Sequence, residues 1–462
     1  MSEEKIEMEK MFDKGSSKEN RIEVMFEQEF GKIKGIHGTN FGPLSLSGGI
    51  DFSEYFKKIQ FPTVRLHDIP YFYNQAVDIP CVFPLFHLDC NDPRNYVFKQ
   101  TDDYIQSTLD CGSEIIYRLG ISMQSKYKYN MDPPADYDKW ADICINIIRH
   151  YNEGWGNGFK HNIRYWEIWN EPRVRKGMWN ASFEEFIRFY IQVSKRIKAA
   201  CPNIMLGGPA FHGGMIKDQT ILHTFLPEII HAKAPLDFCS WHVYPVFPSQ
   251  LVTAAKNVRK ILDEYGLNKT ESHLNEWSIA PYKGLWGAQS RDLHMCRLND
   301  ERVKGMFGAA LVASSLIAMQ DAPVDMANFY GSSYNQFGMF HLDGGTAKSF
   351  HSFRAFKKIL DAAPNRVKVN GDDCDDGLAV LAGKSGDQSQ KMILISNYQN
   401  PKCYWQVGIS GLTEQPYKVQ IDTIDNVRDL TLESEQTIPG PVAKLDVFVP
   451  PMSVRLLTIK SV

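Results

Sequence analysis

Between residues 32 and 360, short β-branched or apolar runs alternate with longer segments of helical character. Several of the short runs are almost continuously apolar, as expected for parallel strands that are covered on both faces. The runs predicted as strands are 33–40, 63–68, 114–120, 163–171, 204–210, 236–244, 272–278 and 325–330. Eight such units in succession predict a (β/α)8 barrel of the TIM type, in which the chemistry lies at the C-terminal ends of the strands.

The pattern changes after Asn365, where short runs are separated by Gly, Pro, Asp and Ser. Apolar and polar residues alternate along 417–422, which is the period of a half-buried strand. We predict a catalytic barrel over 32–364 and a small antiparallel β-sandwich over 365–462. The charged segment 1–31 could pack on the β domain. The runs predicted as strands of this domain are 378–382, 392–397, 417–423, 445–449 and 453–459.

Composition narrows the class of protein. The chain of 462 residues has 43% hydrophobic and 23% charged residues, a globular mix that excludes disorder and fibres. The net charge of −3 lacks the basic excess of a nucleic-acid binder. No run approaches about eighteen apolar residues, and the charged N-terminus has no apolar segment. We therefore predict neither a membrane span nor a signal peptide.

The cysteines suggest the compartment. There are nine, an odd number, and they are widely spaced without a CxxC pair. No His/Cys cluster has the spacing of a zinc site. Buried free thiols in a reducing compartment are the simplest interpretation, so we expect a cytoplasmic protein without a bound metal.

One candidate carboxylate ends predicted strand four, in the segment 165–172 (YWEIWNEP). Pro172 cannot donate to a ladder and so ends the strand, which leaves Glu171 at its C-terminal lip. Beside Trp166 and Trp169 this carboxyl would be partly desolvated and its pKa raised, as a general acid near neutral pH requires. Spacing alone equally allows a solvated loop glutamate.

A second candidate, Glu276, ends predicted strand seven and is again preceded by Asn and followed by Trp. Strands four and seven are three steps apart in a ring of eight, so their lips face each other across one mouth. Two facing carboxyls are the apparatus of glycoside hydrolysis, in which one protonates the leaving oxygen and the other attacks the anomeric carbon. Glu167 shares the parity of Glu171 but lies deeper, and we interpret it as a structural partner inside the barrel.

Polar side chains on two further strands could serve this pair. Arg65 and His67 share a face of strand two, and an arginine in a barrel mouth is unfavourable unless it meets a carboxylate. Pairing with Glu276 would keep that carboxylate ionised, as a nucleophile requires. Arg65 could instead bridge outward to acidic residues on the helices.

On strand six, His242 and Tyr244 likewise share a face. Tyr244 could donate to Glu276, and His242 could bind a sugar hydroxyl. Both could equally be satisfied polar groups of the barrel. Together with His67, Arg65 and Trp277, they are our candidate substrate contacts.

In combination, these segments resemble clan A glycoside hydrolases, and among them family 39, which includes β-xylosidases and α-L-iduronidase. The resemblance implies retaining hydrolysis with Glu171 as acid/base and Glu276 as nucleophile, and Asn170 hydrogen-bonded to the sugar 2-hydroxyl. It also implies a barrel with a small β-sandwich and no metal or organic cofactor. Family xylosidases are often oligomeric, which allows for a homo-oligomer here. The matching segments are 64–67 (VRLH), 166–172 (WEIWNEP), 207–210 (GGPA), 236–244 (LDFCSWHVY) and 274–277 (LNEW).

The chain departs from the xylosidase pattern in two loops. Xylosidase-like members tend to follow Asn-Glu-Pro with a neutral, aromatic loop, whereas this chain has Arg173, Arg175 and Lys176. These residues form either a solvated basic loop or a subsite for an acidic substituent such as a uronic acid. The segment 337–340 also matches only loosely.

The sequence therefore favours a retaining exo-β-xylosidase that acts on short oligosaccharides or glycosides brought into the cytoplasm. A glycosidase of the same family for a uronic acid or arabinose is the first alternative. A non-catalytic carbohydrate-binding barrel is an alternative of another class. An unrelated barrel enzyme, such as an aldolase or a phosphate-handling isomerase, would need a phosphate loop, for which 331–333 (GSS) is a weak candidate.

Overall fold

A computed structural model describes residues 20–45, 48–69, 75–123, 128–172, 178–280 and 293–462. Eight parallel strands close into a barrel whose ring order is the chain order. Each overlaps a strand predicted from sequence, and the barrel fold is confirmed. We number these strands one to eight: Gly38–Asn40, Thr63–Leu66, Glu114–Leu119, Tyr165–Ile168, Met205–Phe211, Phe238–Val243, Glu271–Trp277 and Met326–Phe329.

Helices cover the outside of the barrel. The helix after strand four begins where a capping side chain allows it, since the Ser182 hydroxyl accepts from the Glu185 N–H at 3.1 Å. The α-helices are Ser53–Ile59, Ile79–Val82, Lys99–Leu109, Tyr137–Asn152, Phe183–Ala200, Gly213–Lys217, Thr220–His231, Ser249–Glu264, Leu293–Lys304, Met306–Ala318 and Lys348–Ala362. Short 3₁₀ helices are Pro93–Asn95, Lys128–Met131 and Met319–Asp321, and a small hairpin is formed by Leu44–Ser45 and Ile50–Asp51.

The barrel interior changes from apolar to charged along its axis. Near the N-terminal ends of the strands, Ile116, Tyr165 and Phe238 form a buried apolar cluster. The next layer holds Arg65 and Glu167, which have no exposed surface. The charge increases further toward the C-terminal mouth, so the fold directs its polar chemistry to that end.

The second unit is a nine-stranded sheet among the described residues, in which Arg21–Lys32 is the third strand from one end. Buried side chains from strands near both ends of the sheet form one cluster, so the sheet folds over a single core. Arg21–Lys32 pairs antiparallel with Asn365–Asn370 but parallel with Tyr404–Ser410. Within 365–462 the paired strands are antiparallel, as predicted, and the parallel pair arises only where Arg21–Lys32 joins this sheet. The other strands are Leu378–Lys384, Gln390–Asn397, Tyr417–Ile424, Asp429–Ile438, Ala443–Phe448 and Ser453–Ser461.

The sheet and the barrel share an interface built on two helices. The Ser396 hydroxyl donates to the Ala310 carbonyl at 2.7 Å, and Lys348 pairs with Asp429 at 2.7 Å. Within the described residues no single helix is long and apolar enough to cross a membrane. The bent pair Leu293–Lys304 and Met306–Asp321 reaches the length and apolar composition of a membrane span only when its two helices are taken together. Most of the second helix is buried in this interface.

Candidate active site

The two candidate carboxylates meet at the C-terminal mouth of the barrel. An oxygen of Glu171, an oxygen of Glu276 and a ring nitrogen of His242 all lie within 4.8 Å of one another. His242 Nδ1 lies 2.7 Å from Glu171 Oε1 and 3.7 Å from Glu276 Oε2. Both glutamates are only 7% exposed. The structure thus brings together two acids that are far apart in the sequence.

A local twist of the backbone turns Glu171 inward. Trp169 and Glu171 have left-handed φ values of 70° and 45°, which are uncommon for residues with a side chain. The Glu171 N–H donates to the Ala210 carbonyl of strand five at 3.1 Å, which holds this conformation. Asn170 and Glu171 can both reach the mouth because strict alternation is lost here.

A β-bulge has the same effect on strand seven. Leu274 pairs with Trp241 and Glu276 pairs with His242, so one residue on strand seven is extra. Such a bulge redirects side chains, and both Asn275 and Glu276 face the interior. Glu276 would otherwise point away from the mouth.

Arg65 holds the centre of the site. Its Nε donates to Glu167 at 2.7 Å, its Nη1 donates to Glu276 at 3.1 Å, and its Nη2 donates to the Asn170 side-chain oxygen at 2.7 Å. Its Nη1 also donates to the side-chain oxygen of Asn40 at 3.3 Å. The predicted contact with Glu276 is present. With these bonds made, Arg65 positions the carboxylate and the amide rather than facing a substrate.

Glu167 lies one layer deeper and is held by three protein donors. It accepts from Ser240 at 2.6 Å and from the Asn275 amide, in addition to Arg65. These contacts fit the structural role expected for Glu167. Sequence reasoning missed Asn275 and Asn40, because neither the bulge nor the closure of the ring between strands eight and one can be read from local pattern.

Tyr244 supports Glu276 from strand six. Its hydroxyl donates to Glu276 Oε1 at 2.6 Å, as the shared face of strand six suggested. His67, directly after strand two, accepts from Arg118 Nε at 3.2 Å through its Nδ1.

The tryptophans are not where the sequence suggested. Trp277 packs edge-on against Phe329 at 5.1 Å and is 1% exposed, so the structure does not bring its indole to the carboxylates. Trp166 stacks on Tyr117, and Trp169 packs edge-on against Trp179. These two indoles pack against aromatic rings in the layer between barrel and helices, and burial desolvates Glu171 as expected.

Burial raises the pKa of both acids, but their neighbours differ. It raises the pKa of Glu171 to about 7, against the opposing charges of His212 and Arg65. Burial also raises the pKa of Glu276, but His242, Arg65 and the Tyr244 hydrogen bond lower it while the Glu171 charge raises it. The pKa of His242 falls to about 4 because of burial, so this ring is neutral at pH 7. Glu171 is suited to hold a proton, and Glu276 has the donors that stabilise a carboxylate.

The raised pKa of Glu171 predicts a stability effect. Between pH 4.5 and about 7 the folded protein retains a proton that the unfolded chain has lost, so this group lowers the free energy of unfolding as pH rises. We expect Glu171→Gln to increase the free energy of unfolding by about 3 kcal/mol at pH 8 and to change it little at pH 4. Urea unfolding at both pH values checks this. An equal effect at both would show that the carboxyl titrates normally.

Asp68 was missed by sequence reasoning. It directly follows His67, and alternation would turn it outward, but its φ of 53° brings it inward. It accepts from the Met123 N–H at 2.7 Å and from the Tyr330 hydroxyl at 3.0 Å. Burial raises the pKa of Asp68 to about 6.

Two proposals from the sequence concern the segments 173–176 and 331–333. Arg173, Arg175 and Lys176 lie outside the described residues. The candidate phosphate loop is not available to a ligand, because the Gly331 and Ser332 N–H groups donate to the carbonyls of Phe337 and Asn40. The phosphate-handling alternative loses its site.

Comparison with known proteins agrees with this geometry. The family model of glycosyl hydrolases family 39 matches residues 53–278. This range is just under half of the chain and includes both glutamates. A β-xylosidase from Caldicellulosiruptor saccharolyticus is 23% identical over 382 residues, which cover 73% of this chain and 70% of that protein. The fold is similar to a glucosidase from Croceicoccus marinus, with a TM-score of 0.78, 24% identity and coverage of 96% and 99% of the two chains. A monomeric β-xylosidase from Caulobacter crescentus has a TM-score of 0.71 at 16% identity, with coverage of 96% and 100%.

Proposed function

We propose that this chain, which is a clan A glycoside hydrolase related to family 39, is a retaining exo-acting β-xylosidase. The observation that carries the mechanism is that one carboxylate oxygen of Glu171 lies within 4.8 Å of one carboxylate oxygen of Glu276. Retaining enzymes have carboxyl groups about 5–5.5 Å apart, whereas inverting enzymes leave about 6.5–9.5 Å for a water molecule. The short separation supports attack by a carboxylate.

In the first step, Glu276 attacks the anomeric carbon while protonated Glu171 gives its proton to the departing oxygen. Arg65 and Tyr244 each donate to Glu276 in the described structure, at 3.1 Å and 2.6 Å, and so orient it and favour its carboxylate form against the effect of burial. The bond to the leaving group breaks as the bond to Glu276 Oε forms. The product of this step is a glycosyl ester of Glu276.

In the second step, the ionised Glu171 takes a proton from water, and that water displaces Glu276 from the sugar. Glu171 thereby regains its proton for the next cycle. Because its pKa is about 7, neither the acid form nor the base form is strongly disfavoured at neutral pH.

Asn170 supports recognition of the sugar 2-hydroxyl. Its side-chain oxygen accepts from Arg65, which orients the amide, and its nitrogen is buried without a hydrogen-bond partner among the described residues. That N–H can donate to a hydroxyl next to the anomeric carbon. Such a bond stabilises the transition state more than the ground state in glycosidases.

The substrate and the compartment are part of the proposal. The named β-xylosidase relative supports a xylose-containing glycoside. All nine cysteines lie in the described residues and are unpaired, six of them buried, which supports a reducing compartment. We therefore extend the proposal to a cytoplasmic enzyme acting on short glycosides taken up by the cell.

A panel of nitrophenyl glycosides tests this function. We expect the β-xyloside to give the highest kcat/KM among xyloside, glucoside, arabinofuranoside and uronides, and NMR to show β-xylose as the first product. A uronide in first place would instead favour the basic-loop alternative. First release of the α anomer would contradict a retaining mechanism. Sugar binding without hydrolysis across the panel would favour the non-catalytic alternative.

A further inference from the structure

His67 and Asp68 place a donor and an acceptor side by side at the lip of strand two. His67 Nε2 lies 3.5 Å from Asp68 Oδ2, which is longer than an ordinary N–H···O hydrogen bond. An oxygen atom about 2.8 Å from each of the two would complete a triangle on this edge. The spacing suits a bridging group better than a direct bond.

The tautomer of His67 is set from behind. Arg118 Nε donates to His67 Nδ1 at 3.2 Å, so Nδ1 is an acceptor. Burial and the charges of Arg65, Arg118 and His242 hold the pKa of His67 well below its usual value, so the ring is neutral. A neutral ring with Nδ1 as acceptor carries its hydrogen on Nε2. Arg118 is itself held by a buried pair with Asp78.

Asp68 is equally fixed. Its Oδ1 accepts from the Met123 N–H at 2.7 Å, and its Oδ2 accepts from the Tyr330 hydroxyl at 3.0 Å. An ionised carboxylate has about four lone-pair sites, so Oδ2 can accept a further hydrogen. The carboxylate bridges the segments after strands three and eight, which both border the mouth.

This pair lies beside the reacting groups. His67 is two residues after Arg65 on the same strand face, roughly 6.6 Å closer to the lip, and Arg65 contacts both Glu276 and Asn170. Tyr330 is connected to Tyr244 through ring contacts of Phe337, at 5.8 Å and 5.9 Å between centroids. Asp68 therefore belongs to the wall that surrounds the proposed glycone.

We propose that Asp68 and His67 together bind one hydroxyl group of the glycone. Asp68 is then a specificity-determining residue. His67 Nε2–H donates to the hydroxyl oxygen, and the hydroxyl hydrogen is donated to Asp68 Oδ2. The hydroxyl is one other than the 2-hydroxyl, which the proposed function assigns to Asn170; the inference rests on that function. A carboxylate at the same position would be repelled by Asp68.

Mono-deoxy glycosides test the pairing. With wild-type enzyme, one nitrophenyl glycoside lacking the 3- or 4-hydroxyl should lose on the order of 10²-fold in kcat/KM, because the buried partners are left unpaired. In Asp68→Asn, kcat/KM on the parent glycoside should fall, but removal of that same hydroxyl should then matter by less than about 10-fold. The 2-deoxy glycoside should be penalised equally in both enzymes, since Asn170 is unchanged.

Controls separate the possible outcomes. Asp263→Asn, on the exposed face of helix Ser249–Glu264, should match wild type on every glycoside. A thermal melt establishes whether Asp68→Asn is folded. If the variant does not fold, the deoxy glycosides measured with wild-type enzyme still test the pairing. Equal losses on all glycosides in Asp68→Asn, or a wild-type enzyme indifferent to the 3- and 4-hydroxyls, would overturn the pairing. A wild-type enzyme that hydrolyses no parent glycoside would overturn the proposed function instead.

Discussion

Glu276→Ala is expected to lower kcat by at least about 10⁴-fold on every glycoside, because no carboxylate remains to attack the anomeric carbon. The protein should stay folded, since Arg65 keeps its bonds to Glu167 and Asn170. The measurement is turnover of the nitrophenyl glycoside, with circular dichroism to verify the fold. Activity close to wild type would remove Glu276 from the mechanism.

Azide gives this experiment a positive readout. A small anion can enter the space left by the carboxylate and attack the anomeric carbon once, which inverts its configuration. We expect azide to restore turnover of the β-glycoside and to give the α-glycosyl azide. Glu228→Ala, at an exposed helix position, is the matched control and should behave as wild type with no azide product. Loss of activity without any rescue would instead indicate a structural role.

Glu171→Ala is expected to lower kcat/KM by about 10²–10⁴-fold on glycosides with poor leaving groups, because their oxygen departs only when protonated. Nitrophenyl glycosides need less protonation and should lose much less in kcat/KM. Their kcat should still fall, since the second step lacks its base. Here azide should give the β-glycosyl azide, because it attacks the glycosyl ester of Glu276. Equal losses for good and poor leaving groups would contradict the acid role.

The pH profile gives an independent check on Glu171. The first step needs its protonated form, and its pKa is about 7. Wild-type kcat/KM should therefore fall about tenfold per pH unit above that value. This basic limb should disappear in Glu171→Ala. A limb that persists unchanged would assign the titration to another group.

Much of the fold could be predicted because its signals are local. Near-continuous apolar runs alternating with helical periods gave eight strands, and the structure has a strand at each of them. Side-chain parity correctly grouped Arg65 with His67 and His242 with Tyr244, because successive residues on a regular strand face opposite sides. The Asn-Glu pairs at two strand ends likewise marked the positions that meet at the mouth.

Strand Arg21–Lys32 shows where local pattern fails. Its partners are strands Asn365–Asn370 and Tyr404–Ser410, which lie at the other end of the chain. Nothing in its own charged sequence specifies such distant neighbours, because strand propensity depends largely on the surface against which a strand packs. Only the assembled sheet determines its place.

The amino-acid sequence by itself determined the barrel and the strand faces, which follow from periods of two or 3.6 residues, and the two catalytic candidates, which follow from Asn-Glu pairs at strand ends. Only the tertiary structure showed how Glu276 is turned into the mouth, by a bulge, and that Asp68 faces inward, through a left-handed residue, because both features break the alternation that sequence reasoning assumes. It also decided that Trp277 packs away from the carboxylates, and that Arg65 uses its donors on the protein. These outcomes depend on contacts between strands distant along the chain, which no local period encodes.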